Sequence, residues 1–264
     1  MRCVTKIPFF LIGAMLLSIP LVASPKHSLL ETEDIHPSPI RVGEVLTYKL
    51  KIHNLPAGIQ ITKVAKDTVH NGHRVHHFTS ESKTSSIFTK LYHFRDKQQS
   101  YVTTNQFYPV HFTKNLEDNK YRANVEVNFD FEQGKAQYSK IDFKQGKPKS
   151  KKQRTKAIKM PTGTQNELSM VYFVRSKKLK VGQTYTFPVL VKDKVQEITL
   201  TCYRREMMKI NGLGGQVETL ALRTSHGYLI WLTNDERRIP VRVEAKIPSI
   251  GKLIGTLEKI AYED

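Results

Sequence analysis

From Arg41 onward polar and apolar residues alternate through most of the chain, the period of strands with one buried face. Leu46, Tyr48, Leu50 and Ile52 fall on one face, against Val45, Thr47, Lys49 and Lys51 on the other. Two alternating runs, 61–69 and 74–80, flank Asn71-Gly72 and predict a β-hairpin, since Asn-Gly readily supplies both positive-φ positions of a type I′ turn. Further strands are expected at 86–96, 99–107, 121–131 and 135–143. A second set is expected at 184–192, 195–210, 216–223, 228–233, 239–247 and 252–260. Turns fall at Asp193-Lys194, Asn211–Gly215, Ser225–Gly227, Asn234–Arg237 and Pro248–Gly251. No fixed-period repeat is visible, which disfavours propellers and solenoids.

One segment breaks the pattern. Thr164 and Glu167 have the spacing of a capping box, in which the hydroxyl accepts from the third amide and the carboxylate reaches back. Leu168, Val171, Tyr172 and Arg175 then fall at i, i+3, i+4 and i+7. The spacing predicts a helix of about three turns near 165–176, with Leu168, Val171 and Tyr172 packed on the sheet. The expected fold is all-β: a single domain over 41–264, with a long antiparallel sheet curled into an open barrel or β-spiral and one short helix plugging or flanking it. Curled sheets with one open mouth tend to enclose apolar cavities.

The first forty residues follow a different plan. Arg2 and Lys6 precede eighteen uncharged residues, Ile7 to Ser24, which read as a signal peptide over 1–23. Cleavage after Ala23 is favoured; cleavage after Ser24 is the alternative. Pro8, Gly13 and Pro20 make the run a poor permanent anchor, and no cysteine follows it as in a lipoprotein signal. The expected address is exported and periplasmic. Residues 24–40, with Pro25, Pro37 and Pro39, read as a polar linker. Of the two cysteines, Cys3 leaves with the signal, so a disulfide framework is excluded and Cys202 reads as a small buried hydrophobe.

Charge changes the picture further. Lys and Arg number 42 against 24 Asp and Glu, a formal net charge of +18, or +16 once Arg2 and Lys6 are removed. Half of that lies between Lys144 and Lys159, where Lys144, Lys147, Lys149, Lys151, Lys152, Arg154, Lys156 and Lys159 meet no acid. Like charges at this density, with Gly146 and Pro148 among them, read as a basic mobile loop over 144–160. Such a segment attracts phosphate-bearing surfaces, so the expected partner is an anionic membrane surface or envelope polyanion. Nucleic acid is disfavoured, because export removes it and no aromatic residue lies in 144–160 to stack on bases.

Three constellations carry candidate chemistry. His70, His73, His76 and His77 crowd eight residues at the hairpin tip. His70 and His73 pair across the turn, His77 shares their face opposite Lys66, and His76 points the other way, opposite Asp67. His70, His73 and His77 form a weak metal candidate that lacks a carboxylate and faces a lysine. Trp231, Asp235, Arg237 and Arg238 are either the rim of a ligand site, suited to a polar lipid head or a glycan, or a hairpin turn in which Asp235 caps backbone amides. Glu44 shares a strand face with Tyr48, and if buried it needs an Arg or amide partner. The chain has no G-x-S-x-G elbow, H-E-x-x-H, Walker loop or dinucleotide fingerprint, and Asn211–Gly215 lies between strands. Neither a catalytic set nor a cofactor is expected.

The landmarks also fall in a familiar order. They begin with Arg41-Val-Gly-Glu-Val-Leu-Thr-Tyr48, then Tyr92-His-Phe-Arg-Asp96, Phe107-Tyr-Pro109 and Phe129-Asp130. Glu167-Leu-Ser-Met-Val-Tyr-Phe-Val-Arg175 follows, then Leu179 and Val181-Gly182. Trp231-Leu-Thr-Asn-Asp235, Arg237-Arg-Ile-Pro-Val241, Ile250-Gly251 and Leu253-Ile-Gly-Thr-Leu257 close the set. Over roughly 40–258 this resembles the exported bacterial domain-of-unknown-function family numbered 3108. Glu167 stands where that family tends to have Asp. The resemblance implies an exported, mostly antiparallel β protein with a strongly curved sheet and one short helix, and it carries no established reaction. The expected function is a non-enzymatic envelope protein that binds a lipid-like or polymeric envelope ligand, or an envelope protein, and supports envelope integrity or assembly. The alternatives are a scaffold that recruits a partner by edge-strand pairing and a hydrolase with a distributed site.

Overall fold

The computed structural model describes residues 40–90, 92–144, 147–247 and 251–263. The signal peptide over 1–23 and the linker up to residue 39 lie outside the described residues. The strands are β1 Glu44–Ile52, β2 Leu55–His70, β3 His73–Thr84, β4 Phe94–Thr103, β5 Pro109–Asp118, β6 Tyr121–Asp130, β7 Lys135–Lys144 and β8 Lys147–Lys159. They continue as β9 Gln165–Asn166, β10 Thr184–Val191, β11 Lys194–Ile210, β12 Gly215–Thr224, β13 Leu229–Thr233, β14 Pro240–Ile247 and β15 Gly251–Tyr262. Two short helices are α1 Ser86–Thr89 and α2 Ser169–Arg175. All these strands belong to one open sheet in the order β8-β7-β6-β5-β4-β3-β2-β1-β15-β14-β13-β12-β11-β10-β9.

The topology is two wings joined at one seam. From β1 the chain steps outward strand by strand to β8, crosses to the far edge at β9, and steps back inward until β15 pairs antiparallel with β1. Every pairing is antiparallel except β9 with β10. The two wings approach each other at the open end, where Lys156 Nζ donates to the Asp193 carbonyl at 3.1 Å.

Helix α2 supplies the filling. Leu168 and Tyr172 are buried in a core with Val64, Phe78, Val102, Phe112 and Val127. Val171 packs between this core and the one built on Leu46, Leu50 and Val243. Tyr172 stacks on Phe78 with ring centroids 3.8 Å apart and planes 7° apart. The expected apolar face of the helix is therefore the observed one.

Its entry differs from the expectation. The helix has seven residues, not three turns, and Leu168 caps it without a side-chain bond. The residues expected in its first turn instead pair with β10, Gln165 opposite Val189 and Asn166 opposite Leu190. Thr164 Oγ1 donates to the Pro161 carbonyl at 2.6 Å, and Glu167 is drawn away to Lys114 at 2.7 Å. Asn166 takes over the cap: its Oδ1 accepts from the amides of Leu168 and Ser169 at 3.0 and 2.8 Å.

Three further corrections concern the first wing. The expected strand over 86–96 is strand only from Phe94, where β4 begins; Ser86–Thr89 form α1 instead, because Ser85 Oγ accepts from the Phe88 amide and starts a helical turn. Strand β5 was not foreseen, since it opens on a proline and carries Lys114 where an apolar residue is expected. The basic segment 144–160 is not a mobile loop. Residues 147–159 form β8, paired with β7 from Lys135↔Lys159 to Lys144↔Lys147. Charge repulsion is relieved because β8 is an edge strand on which Lys152, Arg154, Lys156 and Lys159 are exposed to water, and such an edge also tolerates Pro148.

The Asn71-Gly72 hairpin is as expected, with φ of 48° and 81° at the two turn residues and His70 opposite His73. A bulge between Ala65 and Thr68 shifts the register, so His77 opposes Ala65 rather than Lys66. In the second wing β11 bends at a bulge between Cys202 and Arg204. Its tip then folds back onto the seam, with Ile210 buried beside Leu257. The tip turn crosses β15 so closely that a Cβ on Gly212 would sit 3.0 to 3.1 Å from the backbone of Glu258 and Lys259 and from Leu257 Cγ. Asn211–Gly215 thus serves packing. Cys202 is free and wholly buried, and burial raises its thiol pKa, which suits a core residue and not a nucleophile.

Candidate functional site

The tryptophan constellation divides into two structural sets. Trp231 is buried on β13, donates its Nε1 hydrogen to the Glu206 carboxylate on the β11 tip, and lies 5.7 Å under the Arg242 guanidinium. Asp235 belongs to the turn after β13. It accepts from Thr233 Oγ1 at 2.6 Å, Arg237 Nη2 at 2.7 Å, and the amides of Arg237 and Arg238. Burial would raise its pKa, but the bonds from Thr233 and Arg237 outweigh it and hold the carboxyl below its ordinary value. Arg238, at φ 43°, donates to the Arg175 carbonyl, and Arg175 Nε donates to the Arg237 carbonyl. The turn is a clasp on the end of α2.

That clasp leads to the largest buried charges. Arg175 Nη1 and Nη2 donate to Glu44 Oε1 and Oε2 at 2.7 and 2.9 Å, with the two side chains 1% and 2% exposed. Glu44 thus has the arginine that its burial demanded, supplied from 131 residues away.

The histidines are spent on stacking. His70 and His77 lie flat on opposite contacts of Tyr101, at 4.7 and 4.4 Å, and His111 lies 5.1 Å from His70. Burial first, then His111 and His73, lowers the His70 pKa, and burial lowers that of His77. His73 is exposed, and His76 bonds to Asp67 at 2.8 Å. Among the described residues no three His, Cys, Asp or Glu side chains converge as a metal-holding group.

The basic candidates lie along the β8 edge. The side chains of Lys152, Arg154, Lys156 and Lys159 are exposed, while those of Lys144, Lys147, Lys149 and Lys151 are outside the described set. Arg154 bonds to Asp142 at 2.6 Å and Lys156 approaches Asp193 at 3.5 Å, so two of the cations are partly neutralised. Thirteen residues of extended chain make a basic ribbon roughly 40 Å long.

The feature that sequence reasoning missed is a polar interior. Two adjacent rows of paired residues cross the first wing on its inner face. One runs Tyr48, Gln60, Ser82, Asp96; the next runs Thr62, Ser80, Gln98, Lys114. All eight are buried. Gln98 Nε2 donates to Asp96 Oδ2 at 2.7 Å, Gln60 Nε2 donates to Ser80 Oγ at 3.0 Å, and Asn166 Nδ2 donates to Ser100 Oγ at 2.8 Å. Lys114 meets Glu167 at 2.7 Å. Burial pushes the Asp96 carboxyl up to about 7, against the lowering effects of Lys114 and the Gln98 bond. A carboxyl with a raised folded-state pKa takes up a proton on folding. Its contribution to stability is therefore full below about pH 4 and lost as the pH rises through 7, at a slope of at most ~1.4 kcal/mol per pH unit. Urea unfolding between pH 4.5 and 8 checks this: Asp96→Asn should flatten the profile, and an unchanged profile would contradict it.

An apolar cavity of about 50 Å³ lies beside α2, lined by Met170, Val174, Phe187, Ile198, Ile230 and Leu232.

A family model for proteins of unknown function, DUF3108, matches residues 47–258. The chain belongs to this family. Its fold is shared with a β-barrel-like protein of another domain of unknown function, DUF1849, from Brucella abortus: the TM-score is 0.53 and identity 13%, over 84% of this chain and 98% of that one. A putative exported protein with a YmcC-like fold from Bacteroides fragilis aligns over 85% of this chain and 98% of its own, at 8% identity and a TM-score of 0.37. No curated protein matches the sequence. For this DUF3108 member the resemblance read from the landmark motifs is thus established, as is the all-β, barrel-like architecture. Clasp, polar rows and basic edge all fall within the matched residues.

Proposed function

We propose that this DUF3108 protein is a non-enzymatic, exported component of the cell envelope that docks on anionic lipid surfaces through its β8 edge and supports envelope integrity or assembly. The observation that carries the reading is the open edge of the sheet, a ribbon in which eight of the sixteen residues from Lys144 to Lys159 are basic and none is acidic. A paired strand with Lys152, Arg154, Lys156 and Lys159 exposed meets such a surface without first having to order a loop.

The cavity beside α2 does not suit a carrier role. Drug-sized ligands occupy about 300–1,000 Å³, whereas the apolar cavity beside α2 offers about 50 Å³. Edge-strand pairing with a protein is disfavoured at β8, because lysines along an edge oppose strand addition.

Docking of this kind is screened by salt, since the Debye length shortens from about 14 Å to about 6 Å between ~0.05 and ~0.3 M. Co-sedimentation with vesicles containing anionic lipid should fall by more than tenfold over that range. Binding that is unchanged, or equal on neutral vesicles, would rule out the electrostatic reading.

A further inference from the structure

The first wing presents two large apolar side chains to water at one end. Because its strands alternate in direction, every second connection falls on the same rim. Ile52↔Leu55, Gly58↔Thr84, Phe94↔Asp118, Asp118↔Tyr121 and Lys144↔Lys147 are the closing pairs of that rim. Leu55, at the start of β2, is 64% exposed, and Ile87, on α1 between β3 and β4, is 82% exposed. Isolated exposed apolar residues are ordinary, and Val69 is one, on the opposite rim beside the Asn71-Gly72 turn. Leu55 and Ile87 differ in sharing a rim and in lying close along it: the Ser85 amide donates to the Ala57 carbonyl at 2.9 Å, two residues from each.

The turn that carries Ile87 is pinned. Phe88 packs against the core built on Leu46, Leu50 and Val243. Thr89 Oγ1 donates to the Ser85 carbonyl at 2.8 Å, and the Tyr92 amide donates to the Phe88 carbonyl at 2.8 Å. With Phe88 turned to the core, its neighbour Ile87 is held in water.

The charge around the pair is one-sided. Lys83, Lys90 and Lys120 are exposed at the same rim, and Lys246 and Lys252 continue it across the seam. The acids there already have partners. Tyr92 donates to Asp118, His93 and Arg122 meet Glu117 at 2.9 and 3.4 Å, and Arg242 and Lys252 each meet Glu244 at 2.6 Å. The basic ribbon starts here too: Lys144 and Lys147 close the rim five strands along from β3, roughly 24 Å at the usual strand spacing. Cations with aliphatic side chains among them match the interface of an anionic leaflet, where ammonium groups meet phosphates and apolar groups pass below them. A polyanion without an acyl layer would meet the lysines and leave Leu55 and Ile87 in water.

We infer that this rim is the part of the protein that enters the bilayer. Ile87 and Leu55 insert at the headgroup–acyl boundary of an anionic leaflet, while the rim lysines and the start of β8 rest on its phosphates. The inference rests on the docking reading above and adds to it an orientation and an apolar contact that salt does not screen.

The test places an environment-sensitive fluorophore at Ile87→Cys and, on the opposite rim, at His73→Cys; Cys202 is wholly buried and stays unlabelled. The mature chain is added to vesicles of about one-third phosphatidylglycerol in ~0.1 M salt. The label at Ile87→Cys should brighten about threefold or more and be quenched by lipids brominated along the acyl chain, and the label at His73→Cys should do neither. Leu55→Ser/Ile87→Ser, a change at exposed positions outside the core, should weaken binding about tenfold or more and abolish what binding survives at ~0.3 M salt. Vesicle-bound protein whose Ile87→Cys label stays dim, or is quenched no more than the His73→Cys label, would overturn insertion and leave electrostatic docking standing. Protein that binds no vesicle would overturn both. Brightening at Ile87→Cys without lipid, together with a doubled mass, would assign the pair to a second copy of the chain and also overturn insertion.

Discussion

Arg175→Met is expected to destabilise the protein by about 3–5 kcal/mol, the usual result of stranding one partner of a buried ion pair. Glu44 would be left 2% exposed with both guanidinium bonds gone. The loss would spread, because Arg175 also bonds to the carbonyl of Arg237 and accepts Arg238 at its own carbonyl. The Thr233–Ile239 clasp would loosen with it. In a domain of this size the midpoint should fall by roughly 10 °C. The double variant Glu44→Leu/Arg175→Met should recover much of the loss, since two apolar side chains replace the pair without leaving a charge behind. Chemical denaturation of the two single variants and the double variant measures the coupling. A double variant as unstable as the sum of the singles would show that the pair matters through something other than its mutual charge.

The second large effect is at Phe78, which is fully buried and carries the Tyr172 ring at 3.8 Å. Truncation to alanine removes the platform on which α2 rests, and buried Phe→Ala changes cost about 3–5 kcal/mol through lost burial and the cavity left behind. The structure adds a location to that magnitude. Amide exchange should accelerate first in α2 and in the Gln165-Asn166 bridge to β10, while the β1–β15 seam keeps its protection. Uniform acceleration across the sheet would mean that α2 is not a separable plug.

Much of this architecture was legible in the chain. Alternation located most of the strands, Asn71-Gly72 marked its turn with both residues at positive φ, and the i, i+3, i+4 spacing of Leu168, Val171 and Tyr172 marked the buried face of α2. Glu44 even announced the kind of partner it required. What failed had physical reasons. Thr164 and Glu167 fit a capping box locally, but Lys114, more than fifty residues earlier, is the stronger partner for a buried carboxylate. The lysines of β8 repel one another as a loop and are harmless on an edge strand, a distinction that only sheet order reveals. The polar rows were hidden because Gln60, Thr62, Ser80, Ser82, Asp96 and Gln98 read as the solvent face of their strands. One signal was available: in β4, Arg95, Lys97 and Gln99 alternate with Asp96, Gln98 and Ser100, so both faces are polar and one of them has to point inward.

The central claim is that the β8 ribbon carries this family member to an anionic surface. The most direct measurement is vesicle affinity of the unaltered protein against a variant with Lys147, Lys149, Lys151 and Lys152 changed to Gln, at about 0.1 M salt. Each surface lysine is worth about 1 kcal/mol on such a membrane, so the variant should bind two to three orders of magnitude more weakly while unfolding at the same temperature. An affinity within threefold of the unaltered protein would contradict the claim.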